Sequence, residues 1–187
     1  MTKSLRRHIA RERLELGWRE SVGLPGLGIN NLRAKIDTGA RTSALHAVDL
    51  QVQEQDGERW IDFHVPHPGT PRSRRCKARL VDERPIKNTS GVPEIRYVVE
   101  TILVLGKRHW RIEVSLADRE KMEFDLILGR TAIRNRQLLV NPGRSFLAGP
   151  PIELASIGHS TPEDHPTRRL KRGKTQAHNA SNHGAEP

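Results

Sequence analysis

The 187-residue sequence predicts an all-β domain, a closed barrel or a sandwich, on three observations. First, Trp110, Ile112, Val114 and Leu116 alternate strictly with polar residues, the period of a half-buried strand. Second, the apolar runs are short and end repeatedly at glycine or proline. Third, Asp56-Gly57 and Gly106-Lys107 stand as turn signals between strand-like arms.

The elements follow in order. Residues 4–16 set Leu5, Ile9 and Leu16 among Arg and Glu, which fits a basic arm or a short amphipathic helix ending before Gly17. Residues 17–149 form the predicted domain. Arg33 to Ile36 reads as a strand that delivers Asp37. Ser43–Val52 and Trp60–Val65 read as two arms of a hairpin, and Ile95–Leu105 with His109–Leu116 as a second. Phe124 to Leu128 is a short apolar run that stops at Gly129. One or two helical turns over Thr131–Arg136 and a last strand at Leu138–Val140 complete the domain. Residues 150–187 are rich in Pro, His, Ser, Thr, Asn and Lys/Arg, a composition that predicts a disordered basic tail.

Charge narrows the partners. The formal net charge is +10, and residues 1–13 contribute five Lys/Arg against Glu12 alone. Residues 151–187 hold five Lys/Arg against four acids, so the body between them is itself moderately basic. That balance suits an acidic partner or a nucleic-acid surface, and equally a merely solvated exterior. A lone cysteine, Cys76, excludes an intramolecular disulfide and suits a reducing compartment. The first residues lack the apolar core of a signal peptide, and no run of about 18 apolar residues suggests a membrane span, so the expectation is a cytoplasmic protein.

The chemistry concentrates at Ala34-Lys35-Ile36-Asp37-Thr38-Gly39-Ala40-Arg41-Thr42-Ser43. A strand ends in an acid, then in Thr, Gly and a small residue, before an apolar stretch resumes. Asp37 is the candidate catalytic carboxylate and Thr38, Gly39 and Ala40 its turn. The Thr38 hydroxyl could bond across to a symmetry mate, Gly39 allows close backbone approach, and Ala40 keeps a cleft floor small. By itself the four-residue pattern also fits an ordinary turn in which Asp accepts backbone hydrogen bonds ahead of glycine. Phe124-Asp125-Leu126-Ile127-Leu128-Gly129-Arg130, some ninety residues later, sharpens the choice. In pepsins and retropepsins an apolar strand ending in Leu-Gly crosses behind the catalytic turn, so Leu128, Gly129 and Arg130 are assigned as the loop behind the site.

The chain resembles more than that broad class. Gly17-Trp18-Arg19-Glu20, the Asp37 segment through Ala44-Leu45-His46-Ala47, Ser90-Gly91 with Arg96-Tyr97, Asp118-Arg119 with Met122, and Leu126 through Ala132 are similar to the bacterial RimB-like family, often labelled "ATP-dependent zinc protease". The resemblance implies a retropepsin-like fold, a closed β-barrel with a short C-terminal helix, and aspartic endopeptidase activity. It also implies a ribosomal-protein context, because some members accompany a ligase that adds glutamates to a small-subunit ribosomal protein.

The family's label finds little in these residues. His46, His64, His67 and Cys76 are the only histidines and cysteine that can be assembled toward zinc, without compact ligand spacing. No Gly-rich phosphate loop precedes a Lys-Ser/Thr pair, so no ATP site and no cofactor is expected. One Asp-Thr-Gly per chain instead predicts a homodimer, whose two aspartates share one proton across the axis.

Viral retropepsins commonly place an Asp where Arg41 stands, and pair it with the arginine of the later Gly-Arg. Arg130 must therefore find another carboxylate, or Arg41 faces the cleft and, with Thr42, binds an acidic substrate; a solvated Arg41 on the rim is the plain alternative. Asn88–Pro93, with Ser90 and Gly91 at its tip, is the preferred covering flap, and His67–Arg79 the other. The competing function is a non-catalytic dimeric module binding an acidic protein or ribosomal RNA, although aromatics at 4% argue against a base-stacking platform.

Overall fold

The computed structural model describes residues 13–66, 73–87, 91 and 93–154. Its strands are β1 (Leu14–Gly17), β2 (Arg19–Leu24), β3 (Ile29–Ile36), β4 (Ser43–His46), β5 (Val48–Gln55), β6 (Glu58–Pro66), β7 (Ser73–Lys87), β8 (Pro93–Leu105), β9 (Arg108–Ala117), β10 (Leu126–Leu128) and β11 (Leu138–Asn141). A 3-10 turn at Pro25–Leu27 joins β2 to β3, and one short helix, α1 (Arg130–Ile133), lies between β10 and β11. The all-β expectation holds.

Nine strands form one sheet in the order β2-β3-β10-β4-β9-β8-β7-β6-β5, and a further pairing of β2 with β8 returns six of them into a ring. The inward positions of that ring hold the core, including Val22, Leu45, Leu103, Leu105, Val114, Leu126 and Leu128. Alternation explains who faces in: Trp110, Ile112, Val114 and Leu116 are all buried on β9, as the sequence pattern requires. Beyond β8 the sheet continues as β7, β6 and β5, with Ile61, Phe63 and Val65 still packed on the same core.

Both predicted hairpins form. At the tip of β5–β6, Asp56 and Gly57 adopt φ of 53° and 75°, the two left-handed residues of a twist-matched two-residue turn. The arm expected over Ser43–Val52 is not continuous, however. Ser43–His46 is fully buried and pairs with β10 and β9, whereas Val48–Gln55 pairs with β6. Ala47 donates to the Ala117 carbonyl at 3.1 Å, and Asp49 takes φ 55°, which turns the chain from one partner set to the other.

A second correction concerns the N-terminal segment. Residues 14–16, read as the end of an arm or helix, belong to β1, which pairs in parallel with β11 and buries Leu16 completely. The ordered body also passes Gly149, since the Ile152 amide donates to the Gly106 carbonyl at 3.1 Å. Residues 1–12 and 155–187, the bulk of the predicted arm and tail, lie outside the described residues. The predicted helical turns shorten to Arg130–Ile133, held down by Trp110 Nε1 donating to Ala132 O at 2.8 Å.

One buried charge organises the chain ends. Glu20 is fully buried, and its carboxylate accepts the amides of Gly17 (2.6 Å), Leu147 (2.9 Å) and Ala148 (3.2 Å). Three backbone donors offset the loss of solvent around that carboxylate and tie the segment after β11 to the start of β2.

Candidate active site

Asp37 follows β3 directly, and its position is set by what β3 pairs with. β10 runs parallel to β3 with Leu126 opposite Ala34 and Leu128 opposite Ile36. The Asp37 amide then donates to the Leu128 carbonyl at 2.9 Å, while the Ile36 amide donates to Trp18 O at 2.9 Å. The strand end is therefore clamped from both sides immediately before the acid.

The turn itself is closed by the Asp37 carboxylate. Oδ1 accepts the amides of Gly39 at 3.0 Å and Ala40 at 2.9 Å. That engagement fixes the carboxylate plane and leaves Oδ2 with no hydrogen-bond partner among the described residues. Asp37 is half-buried, while Thr38 and Gly39 are exposed. A carboxylate oriented through one oxygen and open through the other is suited to taking a proton from water.

The second element, Leu128–Arg130, packs against this turn. Arg130 N donates to Ala40 O at 2.9 Å and Thr131 N to Arg41 O at 3.0 Å, so residues 37–42 and 128–131 interlock as two loops. Gly129 has to be glycine: a Cβ there would sit 2.5 Å from both the carbonyl carbon and the oxygen of Thr42. Its amide donates to Ser43 Oγ at 3.2 Å, and Ser115 Oγ donates to the Ser43 carbonyl at 2.9 Å. Ser43 and Ser115 are both buried, and the sequence assigned neither of them a role.

Arg130 resolves the question left by Arg41 in a way the sequence could not offer. Among the described residues it finds no carboxylate; one Nη donates to the carbonyls of Thr38 (2.9 Å) and Gly39 (2.7 Å), bracing the Asp37 turn through its backbone. Arg41 is exposed and Thr42 half-buried beside the turn. Gly91 is exposed between β7 and β8, with φ 77°, at the tip of the long hairpin those strands form. Ser90 and most of the expected flap tip lie outside the described residues, as do residues 67–72 of the other flap candidate.

The groups that could have been assembled toward zinc do not converge among the described residues. His46 is buried, and its Nδ1 accepts the Arg119 amide at 2.9 Å. With that nitrogen acting as acceptor, its 3.8 Å approach to Asp118 is not an ion pair. His64 Nδ1 lies 3.4 Å from Asp49, and Cys76 is buried with its thiol directed at Leu27 O, 3.4 Å away. His67 lies outside the described residues.

One residue of the family resemblance, Arg119, was given no role by the sequence. Arg119 sits half-buried in the loop after β9, and its Nε donates to Phe124 O at 3.1 Å. The Phe124 ring meets Trp18 edge-on at 5.8 Å, and Trp18 O is the acceptor for Ile36, next to Asp37. Burial lowers the Arg119 pKa from the usual guanidinium value, Arg96 lowers it further, and Asp125 and then Asp37 oppose the shift.

Comparison with known proteins agrees with this architecture. The model of the RimB-like family, described as retropepsin-like aspartic endopeptidase RimB, matches residues 15–151. A probable alpha-L-glutamate ligase of Desulfotalea psychrophila is 40% identical over 146 residues, which cover 76% of this chain and 31% of that protein. Another, from Shewanella pealeana, is 38% identical over 138 residues, 72% of this chain and 30% of that protein. The chain thus spans under a third of the length of these curated relatives. The crystal structure of Lpg0085 from Legionella pneumophila, a protein of unknown function, is 28% identical with a TM-score of 0.64, covering 73% of this chain and 99% of that one.

Proposed function

The chain belongs to the RimB-like family of retropepsin-like aspartic endopeptidases, and from that premise we propose that it is a homodimeric aspartic peptidase with Asp37 as its one catalytic residue per subunit. The carrying observation is the interlock itself. Asp37 Oδ1 is fixed by Gly39 N and Ala40 N, the turn is braced by Gly129 and Arg130, and Oδ2 is left open. An isolated turn has no need of that bracing; a carboxylate that must hold one orientation through a reaction does.

Within one chain the arrangement is half a site. No second carboxylate forms a hydrogen bond or ion pair with Asp37 among the described residues. A two-fold axis beside the turn would set two copies of Asp37 face to face, where like charges at short range leave one proton shared. The ionised copy takes a proton from water, and the water oxygen attacks the peptide carbonyl carbon. The protonated copy donates to the carbonyl oxygen, and collapse of the tetrahedral intermediate expels the amine with a proton from the pair. Thr38, exposed on the turn, would bond across the axis. The closed ring of strands supports a retropepsin-like barrel as the scaffold, and the β7–β8 hairpin is its covering flap.

For substrate, the reading favours a glutamate-rich peptide. Arg41 is exposed beside the turn, and relatives that contain this domain within a longer chain are named for glutamate ligation. A ribosomal-protein tail carrying added glutamates is the substrate class that joins those two facts. The test is cleavage of a glutamate-extended peptide by the full chain, read alongside sedimentation at rising concentration. Activity should appear with the dimer and vanish in Asp37→Asn. Full activity in a strict monomer, or in Asp37→Asn, overturns the proposal.

A further inference from the structure

Arg119 is a half-buried cation that forms no ion pair among the described residues, although the charges of Asp125 and Asp37 bear on it. Its side chain makes one hydrogen bond, Nε to Phe124 O at 3.1 Å, and no ion pair among the described residues. Among the described residues the two Nη atoms have no hydrogen-bond partner, yet neither is sealed from solvent. The residue is not loosely placed. Its amide is held by His46 Nδ1 at 2.9 Å, and its carbonyl accepts Met122 N at 2.8 Å. His46 is itself buried and anchored by its amide to Asp125 O at 2.6 Å.

The surroundings make that cation costly as a purely structural device. Arg96 lies near enough for its charge to bear on Arg119 and is already engaged by Glu94 at 2.9 Å, while Asp125 and Asp37 pull the other way without forming an ion pair with Arg119. Bracing the Phe124 carbonyl needs only a neutral donor, whereas a partly desolvated guanidinium beside a second arginine calls for an anion. Anchoring through Nε presents the Nη edge outward, and two parallel N–H groups on that edge match the two oxygens of a carboxylate. The Arg119 loop is joined to the catalytic turn through Phe124, Trp18 and Ile36, so its position relative to Asp37 is held by packed rings and backbone bonds.

We infer that Arg119 is a specificity-determining residue, whose outward Nη edge binds a side-chain carboxylate of the substrate next to the scissile bond. The inference rests on the acidic-peptide reading above and gives it a pocket. Exposed Arg41 is left to longer-range attraction, since a solvated charge discriminates weakly between a glutamate and its amide. A half-buried guanidinium discriminates strongly, because a Gln in its place leaves the cation unmatched.

Binding, rather than cleavage, separates this inference from the catalytic one. In the Asp37→Asn chain, oligo-glutamate and oligo-glutamine peptides of equal length are titrated by fluorescence anisotropy. The glutamate peptide is expected to bind more tightly, and adding Arg119→Met should cut that preference roughly ten- to hundredfold. Methionine keeps the apolar stem, so a native near-ultraviolet circular dichroism spectrum certifies the comparison. Should the variant not fold, the Arg119 Nε–H resonance of the Asp37→Asn chain is followed as glutamate peptide is added, and it should shift at the stoichiometry of binding. The inference is overturned by a preference that survives Arg119→Met, by its loss in Arg41→Met alone, by a parent chain that does not distinguish the two peptides, or by an unmoved resonance. Cleavage that fails while the preference behaves as expected would sink the peptidase reading and leave Arg119 as a carboxylate receptor.

Discussion

Two turns in this molecule place an aspartate just ahead of a glycine, and they have opposite fates. Asp56-Gly57 closes the β5–β6 hairpin at the surface; a Cβ added to Gly57 would meet nothing within 4 Å, and only its φ of 75° asks for glycine. Asp37-Thr38-Gly39 is gripped from behind by Leu128, Gly129 and Arg130, and a Cβ on Gly129 would strike the Thr42 backbone at 2.5 Å. The first turn is local chemistry that reverses a strand. The second is held by residues ninety positions away, and that distant grip is what the proposed active site rests on.

The largest contrast is catalytic. Asp37→Asn should lower kcat on a glutamate-extended peptide by about 10²–10⁴-fold, the usual worth of a positioned acid–base group, while Asp56→Asn leaves kcat within about twofold. Equal losses at both positions would mean the effect comes through folding and would erase the distinction. Next is stability. Gly129→Ala forces backbone apart and should cost about 3 kcal/mol or more in urea unfolding, whereas Gly57→Ala costs about 1–2 kcal/mol through its left-handed φ alone. If the two cost the same, the Thr42 backbone yields freely and the loops are not rigidly interlocked.

A smaller effect compares the arginines that serve the two regions. Arg130 donates to two carbonyls of the Asp37 turn, and Arg59, beside the hairpin tip, pairs with Glu83 across exposed surface. Arg130→Met should cost about 1–2 kcal/mol and lower kcat more than it raises KM, since the turn loses orientation. Arg59→Met should cost under about 1 kcal/mol and leave kinetics unchanged, as exposed pairs do. Arg130→Lys restoring kcat fully would show that charge, not the reach to both carbonyls, is what matters.

The same contrast explains what was legible in the sequence. That Asp37-Thr38-Gly39 and Leu128-Gly129-Arg130 stand out as segments is legible because side-chain type and chain order carry them, and the fold brings the two together. The partners of Arg130 were not legible because they are the carbonyls of Thr38 and Gly39, and every residue has a carbonyl; no sequence records which ones turn toward a guanidinium. The break at Ala47 was invisible for a related reason. Ser43–Val52 is strand-like throughout, but its two halves choose different neighbours, β9 and β10 for one and β6 for the other. Arg119 had a weak signal in its place beside Asp118, but its surroundings depend on Phe124, Arg96, Asp125 and His46, which only the fold brings near it. β1 was read as the end of an arm or helix because Leu14–Gly17 becomes a strand only when β11, more than a hundred residues later, pairs with it.

The subtlest test asks whether the hairpin layer can be loosened without touching the site. Cys76 on β7 is buried with its thiol on Leu27 O at 3.4 Å, which links the β6–β7 pair to the 3-10 turn of the ring. Burial pushes the Cys76 thiol up to about 11 from an ordinary value of 9.0, with Arg74 opposing the shift. The folded chain therefore holds that proton where the unfolded chain has released it. The stabilising contribution is whole below pH 9.0 and is lost as pH rises toward 11. Unfolding midpoints should fall across that window in the wild type and fall less in Cys76→Ala, which has no thiol to ionise. At pH 8 the native thiol should resist alkylation and react only on unfolding. A thiol that reacts freely at pH 8 in the folded state would mean β7 already opens away from Leu27, leaving the outer hairpin layer more mobile than the ring that holds Asp37.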